Sequence, residues 1–208
     1  MIIALKSTAL QHFARLRAPL FAVLAGLMLA GCGINVIPTE EERAKAAWSE
    51  VMNQYQRRSD LIPNLVETVK GYAAQEKDVL TSVIEARAKA TSIRVDASTV
   101  TDPAQFKQFQ DAQAGLSSAL GRLIAVSEAY PDLKSNQNFL ALQSQIEGTE
   151  NRIAVARRDY IEAVRVYNTE LKTFPGLLWA STFYRSYRPM ETFTISEQQM
   201  QVPKVKFN

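Results

Sequence analysis

Glu147 and Glu150 lie one helical turn apart, a spacing at which two carboxylates could share general acid–base work. Such pairs are ordinary on solvated helices, where they form salt bridges, and that reading is preferred. Metal sites in helical bundles use Glu-x-x-His pairs, and thiolate sites need several cysteines. This chain has one His, His12, and one Cys, Cys32, both in its N-terminal segment. The sequence contains no glycine-rich phosphate loop, no Gly-x-Ser-x-Gly elbow and no dinucleotide fingerprint. The inventory predicts a protein that is not an enzyme, with no metal, no cofactor and no small-molecule substrate.

The remaining candidates are charges that interrupt apolar seams. Arg57-Arg58-Ser59-Asp60 precedes Pro63, and Arg58 sits in seam register, so it must snorkel outward or pair with a carboxylate. Glu76 holds an equivalent position about five turns on. Glu147, Glu150, Asn151 and Arg152 fall within little more than one turn, where Glu147 can reach Asn151 and clamp two helices. Polar residues at seam positions fix helix register, and that role is preferred over contact with a partner. Trp179 and Phe183 belong to an aromatic cluster with Phe174, Tyr184 and Tyr187. The cluster either caps the end of a bundle, the preferred reading, or meets a membrane at headgroup level. Arg185, Arg188, Lys204 and Lys206 would add attraction to anionic lipid.

Long helices must position these residues. Thr39-Glu40-Glu41-Glu42 has the form of a capping box. From Trp48 to Ile93 apolar residues recur at steps of three and four, as in a coiled coil, with gaps at Arg58 and Glu76. The pattern predicts a first helix kinked but not stopped at Pro63; unbroken, it would span about 80 Å. Asp102-Pro103 opens a second helix, striped with Phe106, Phe109, Leu116, Leu120 and Leu123, that ends near Tyr130. A third runs from 136–138 to Phe174, and a short fourth covers Leu177–Tyr184. After Pro189 the pattern is extended. Long amphipathic helices with short loops predict an all-α antiparallel bundle.

The N-terminus is an address. Lys6, Arg15 and Arg17 form a basic flank, Leu20–Leu29 is apolar, and Leu29-Ala30-Gly31-Cys32 resembles the lipobox of bacterial lipoproteins. That resemblance implies a diacylglyceryl group on the Cys32 thiol and cleavage that leaves Cys32 first, which would anchor the chain in a membrane. By resemblance to the lipoprotein sorting pattern, Gly33, standing where an aspartate would imply inner-membrane retention, implies the outer membrane. The alternative is an uncleaved helix in the inner membrane. Removing those three bases from the 24 Lys and Arg leaves 21, equal to the acids. A balanced surface argues against nucleic-acid binding. The predicted organisation is a signal segment over 1–31, a tether over 32–38, a helical bundle over 39–187 and an extended tail over 188–208.

Several runs resemble the LemA family. They are Arg57 through Val66, Val69-Lys70-Gly71-Tyr72-Ala73 with Glu76, Glu128-Ala129-Tyr130-Pro131-Asp132-Leu133, Asn138-Phe139, Glu147 through Ile153, Ala156-Arg157, Tyr160, Tyr167-Asn168 and Phe174-Pro175. The resemblance implies a bacterial envelope protein with a helical soluble part and no assigned reaction. Family members commonly carry an N-terminal membrane helix, from which Cys32 departs. Neighbouring genes for membrane metalloproteases connect the family with envelope stress or protein quality control. The expected function is a lipid-anchored, periplasm-facing scaffold or adaptor that contacts an envelope protein or copies of itself. The alternative is a lipid-binding or membrane-shaping module that uses the aromatic C-terminal end.

Overall fold

In the computed structural model the described residues are 33–93, 96 and 98–194. The signal segment, Cys32 and the tail from 195 lie outside them. Among the described residues six α-helices follow in order: α1 Val36–Tyr72, α2 Lys77–Ser92, α3 Pro103–Val126, α4 Pro131–Lys134, α5 Gln137–Glu170 and α6 Gly176–Thr182. Two 3-10 turns, Thr99–Thr101 and Ser127–Ala129, flank α3, and no strand occurs among the described residues. The protein is an all-α helical bundle. It divides into a larger unit, Glu40–Asn168 with Arg188–Asn208, and a smaller one, Met1–Thr39 with Thr169–Tyr187.

In the larger unit the chain runs up α1, down α2, up α3 and down α5. Arg87 on α2 donates through Nε to the Ser59 carbonyl of α1 at 3.0 Å, and Trp48 and Tyr55 meet the Phe109 ring of α3 edge to face. Tyr160 near the end of α5 meets Trp48, while Asn136 just before α5 donates to the Tyr72 hydroxyl at 2.8 Å, so α5 is antiparallel to α1. One apolar core joins Ile62, Leu65 and Val69 of α1 to Leu80 and Val83 of α2 and Leu116–Leu123 of α3. An aromatic layer of Trp48, Tyr55, Phe106, Phe109, Tyr160 and Phe193 fills the rest.

The single long first helix is corrected by this fold. Helix α1 passes unbroken through Pro63 but ends at Tyr72, and residues 73–76 turn the chain back along it. A straight rod would leave its apolar stripe in water, whereas the hairpin buries Leu80, Val83 and Ala90. Gly71, with the poor helix propensity of its type, sits just before the reversal. Pro63 takes its toll elsewhere: lacking an amide hydrogen, it leaves the Ser59 carbonyl open, and Arg87 occupies it.

Other boundaries also shift. Thr39 is not a cap, because α1 starts at Val36 and the Thr39 hydroxyl donates to the Asn35 carbonyl at 2.7 Å. Pro38 fits the first turn, where an amide hydrogen would lack a partner anyway. The segment Val36–Pro38 is therefore helical and not a loose tether. Helix α3 begins as expected, with Asp102 Oδ1 accepting from the Ala104 amide at 2.8 Å. It gives way at Val126 to a 3-10 turn, and Pro131 starts α4. Helix α5 stops at Glu170, short of Phe174, which is 84% exposed. The short last helix covers Gly176–Thr182.

The described part of the tail packs closely. The Tyr167 and Tyr160 hydroxyls donate to the carbonyls of Arg188 and Glu191, and Asn168 pairs with the Met190 backbone in both directions. Met190 and Phe193 are buried. Among the described residues no helix is long and apolar enough to cross a membrane.

Candidate functional site

Arg58 is the largest fully buried side chain, 1% exposed, on the inner face of α1. Nη1 donates to Glu150 Oε1 of α5 at 2.6 Å and to Ser117 Oγ of α3 at 2.7 Å. Nη2 donates to Gln113 Oε1 at 2.6 Å, and the guanidinium lies 5.1 Å from the centre of the Tyr55 ring. Nε is buried with no protein acceptor. Such an arrangement offsets the heavy cost of taking a cation out of water, and it does so only if three helices keep one register. A cavity of about 110 Å³ opens beside it, lined by Tyr55, Arg58, Gln113, Ser117, Glu150 and Arg157 among others. Burial raises the Tyr55 phenol above its ordinary range, against the opposing pull of Arg157 and Arg58.

Of the two ways open to Arg58, pairing with a carboxylate is the one taken, and the partner is Glu150. Glu147 is exposed and accepts from Gln143 at 2.9 Å, so the expected contact with Asn151 is replaced by one a turn earlier. Arg57 and Asp60 are exposed, and Asp60 accepts from Gln56 at 2.7 Å. Glu76 lies in the reversal after α1, where it accepts from the Tyr130 hydroxyl at 2.7 Å and holds that phenol above its ordinary range. Arg152 is exposed on α5. In the smaller unit the Trp179 and Phe183 rings stand 6.0 Å apart, and Phe183 is 69% exposed.

Two open, mostly apolar grooves run along α5. One, of about 340 Å³ against α1, includes Gln54, Asn151, Arg152, Val155 and Ala156. The other, of about 500 Å³ against α3, includes Leu120, Gly121, Ile124, Ile146, Glu147 and Asn151. Asn151 borders both. Glu50, Arg152 and Asp159 line the first trough and Glu147 and Glu150 the second, an arrangement suited to an amphipathic helix laid alongside.

Sequence reasoning missed Gln113, Ser117, Arg157 and the Phe193 contact. Arg157 lies 4.3 Å from the centre of the Phe193 ring. The only available signal was Gln113, polar in the stripe of α3 between Phe109 and Leu116. Among the described residues no three His, Cys, Asp or Glu cluster so as to hold a metal ion.

A family model for the LemA family matches residues 47–207. Magnetosome protein MamQ 2 of Paramagnetospirillum magneticum (strain ATCC 700264 / AMB-1) is 29% identical over 156 residues, covering 67% of this chain and 57% of the relative. Magnetosome protein MamQ of Magnetospirillum gryphiswaldense is 26% identical over 157 residues, covering 68% and 58%. Protein LemA of Metamycoplasma hominis is 26% identical over 140 residues, covering 67% and 60%. The chain spans under two thirds of the length of these curated relatives.

Proposed function

The chain belongs to the LemA family, and from that membership we propose that it is a membrane-anchored scaffold or adaptor of the cell envelope. It works by protein–protein contact, without turnover, cofactor or metal. The observation that carries this reading is the pair of apolar grooves along α5, set in a frame whose register Arg58 and Glu150 hold. The occupant is an amphipathic helix, from another envelope protein or a second copy, whose charges meet Glu147 and Arg152. The acylation signal at Cys32 supports a lipid anchor, and Gly33 supports an outer-membrane, periplasm-facing address. Relatives named for the magnetosome support membrane association, and the part in envelope stress or quality control rests on the family resemblance alone.

A photo-crosslinking amino acid at Asn151 in living cells tests the reading. The expected product is a discrete adduct with one protein or a second copy, lost with Val155→Glu and absent from the same probe at Lys107. No groove-dependent adduct, together with a monomeric anchor-free chain, sinks the proposal. Metabolic acyl labelling of the wild type and not of Cys32→Ser tests the anchor separately.

A further inference from the structure

The smaller unit concentrates apolar surface. Among the described residues nine large apolar side chains are exposed, and four of them, Phe174, Leu177, Leu178 and Phe183, fall within one short segment. Phe174 and Phe183 are the two most exposed of all, at 84% and 69%. Burying such groups contributes favourably wherever an apolar phase is at hand.

Their arrangement selects the phase. Leu177 and Leu178 lie next to each other on α6, whereas Phe174 precedes its first residue and Phe183 follows its end beside Trp179. One rigid trough on a partner would cover a single side of the helix. A fluid apolar layer covers the residues on the helix and those beyond both of its ends, as it does for helices that lie in a membrane interface. Lys172 and Arg185 are exposed in the same segment, and its one acid, Glu170, is half-buried. That balance suits an anionic headgroup layer.

The place of this segment in the chain decides the source. A side chain at Gly33 would come within 3.2 Å of Pro175 Cγ and 3.3 Å of Trp179 Nε1. Gly33 is bonded directly to Cys32, the residue that carries the acylation signal, and the apolar run Leu20–Leu29 lies just before it. Whether a lipid on Cys32 or an uncleaved helix holds the chain, the bilayer begins within a few residues of Gly33.

We infer that Phe174, Leu177, Leu178 and Phe183 form an interfacial foot that inserts into the bilayer to which the N-terminus is attached, with Lys172 and Arg185 against its headgroups. The inference rests on the membrane-anchoring part of the proposed function and adds the surface by which the anchored unit is seated. Anchoring and seating are thereby separable.

The test uses the full chain in cells, with Phe183→benzoylphenylalanine and, as control, Lys107→benzoylphenylalanine. After irradiation, metabolically labelled phospholipid attaches to the chain at 183 and not at 107. Phe174→Ser with Leu178→Ser lowers that yield about tenfold while the chain stays in the membrane fraction. A membrane-bound chain whose probe at 183 captures protein, or nothing, overturns the foot and leaves the anchor standing. A chain absent from the membrane fraction overturns the anchoring itself.

Discussion

Arg58 Nη1 and Glu150 Oε1 meet at 2.6 Å across 92 residues of chain, a charged contact in the middle of an otherwise apolar bundle. The guanidinium is 1% exposed, while the Glu150 side chain keeps 38% of its surface in water. A pair of this kind adds little net stability but makes every other register costly, because a shift of one turn strands the arginine among apolar groups.

Arg58→Ala therefore destabilises the bundle by about 3–5 kcal/mol, since it opens a cavity and strips Gln113 and Ser117 of their donor. The triple change Arg58→Met, Gln113→Leu, Glu150→Leu recovers most of that loss, because no buried polar group is left unpaired. Urea unfolding followed by helical circular dichroism measures both. A triple variant as unstable as the single one would mean that the network contributes net stability and does more than hold register.

Pro63 and Arg87 form a second linked pair. Proline inside a helix costs about 3 kcal/mol, and here Arg87 offsets part of that by donating to the Ser59 carbonyl. Pro63→Ala is expected to stabilise the protein by about 1–3 kcal/mol, since an alanine amide can take the Ser59 carbonyl. Arg87→Ala costs about 1 kcal/mol in the native chain and less in the Pro63→Ala background. A double-mutant cycle reads the coupling, and strictly additive effects would refute it.

Much of this architecture is legible in the residues, and the illegible parts share a physical cause. Helix α3 announces itself through Asp102-Pro103 and its stripe, and α5 through the seam of Phe139, Ile146, Ile153, Ala156, Tyr160, Ala163 and Tyr167, all buried. The hairpin of α1 and α2 is hidden, because a seam repeats every three and four residues whether its helix is straight or folded back. The gap at Glu76 looks like a polar seam residue and is in fact the reversal. Glu150 and Glu147 are equivalent on paper, and only the packing of α1 against α5 tells which one meets Arg58. Met190 and Phe193 belong to a short extended segment with no partner strand, and nothing in that pattern tells that they are buried before the aromatic layer exists to receive them.

Gly176 predicts a local defect. A β-carbon there would overlap the Glu170 carbonyl oxygen and crowd its carboxylate, and the contact with backbone cannot be relieved by a rotamer change. Gly176→Ala should cost about 1–3 kcal/mol as an overpacking change, expressed within the smaller unit. Limited proteolysis checks this: cleavage between 169 and 187 should speed up. Unaltered cleavage would show that the Glu170–Gly176 approach loosens freely in solution.

Alkaline pH should loosen the larger unit through its buried phenols. Burial raises Tyr55 and Tyr160 above the ordinary value of 10.0, with Glu191 adding to the effect on Tyr160 and Arg157 opposing it on Tyr55. Both phenols ionise near their ordinary value in the unfolded chain. Above that pH the folded state keeps protons that the unfolded state has released, so the contribution is complete below about pH 10 and shrinks as pH climbs toward the folded values. The urea midpoint should hold level to about pH 9.5 and then fall, with Tyr55→Phe and Tyr160→Phe each making the fall shallower. A midpoint independent of pH up to about 11, or phenolate absorbance from Tyr55 and Tyr160 that rises near the ordinary phenol value, would mean that the aromatic layer admits water.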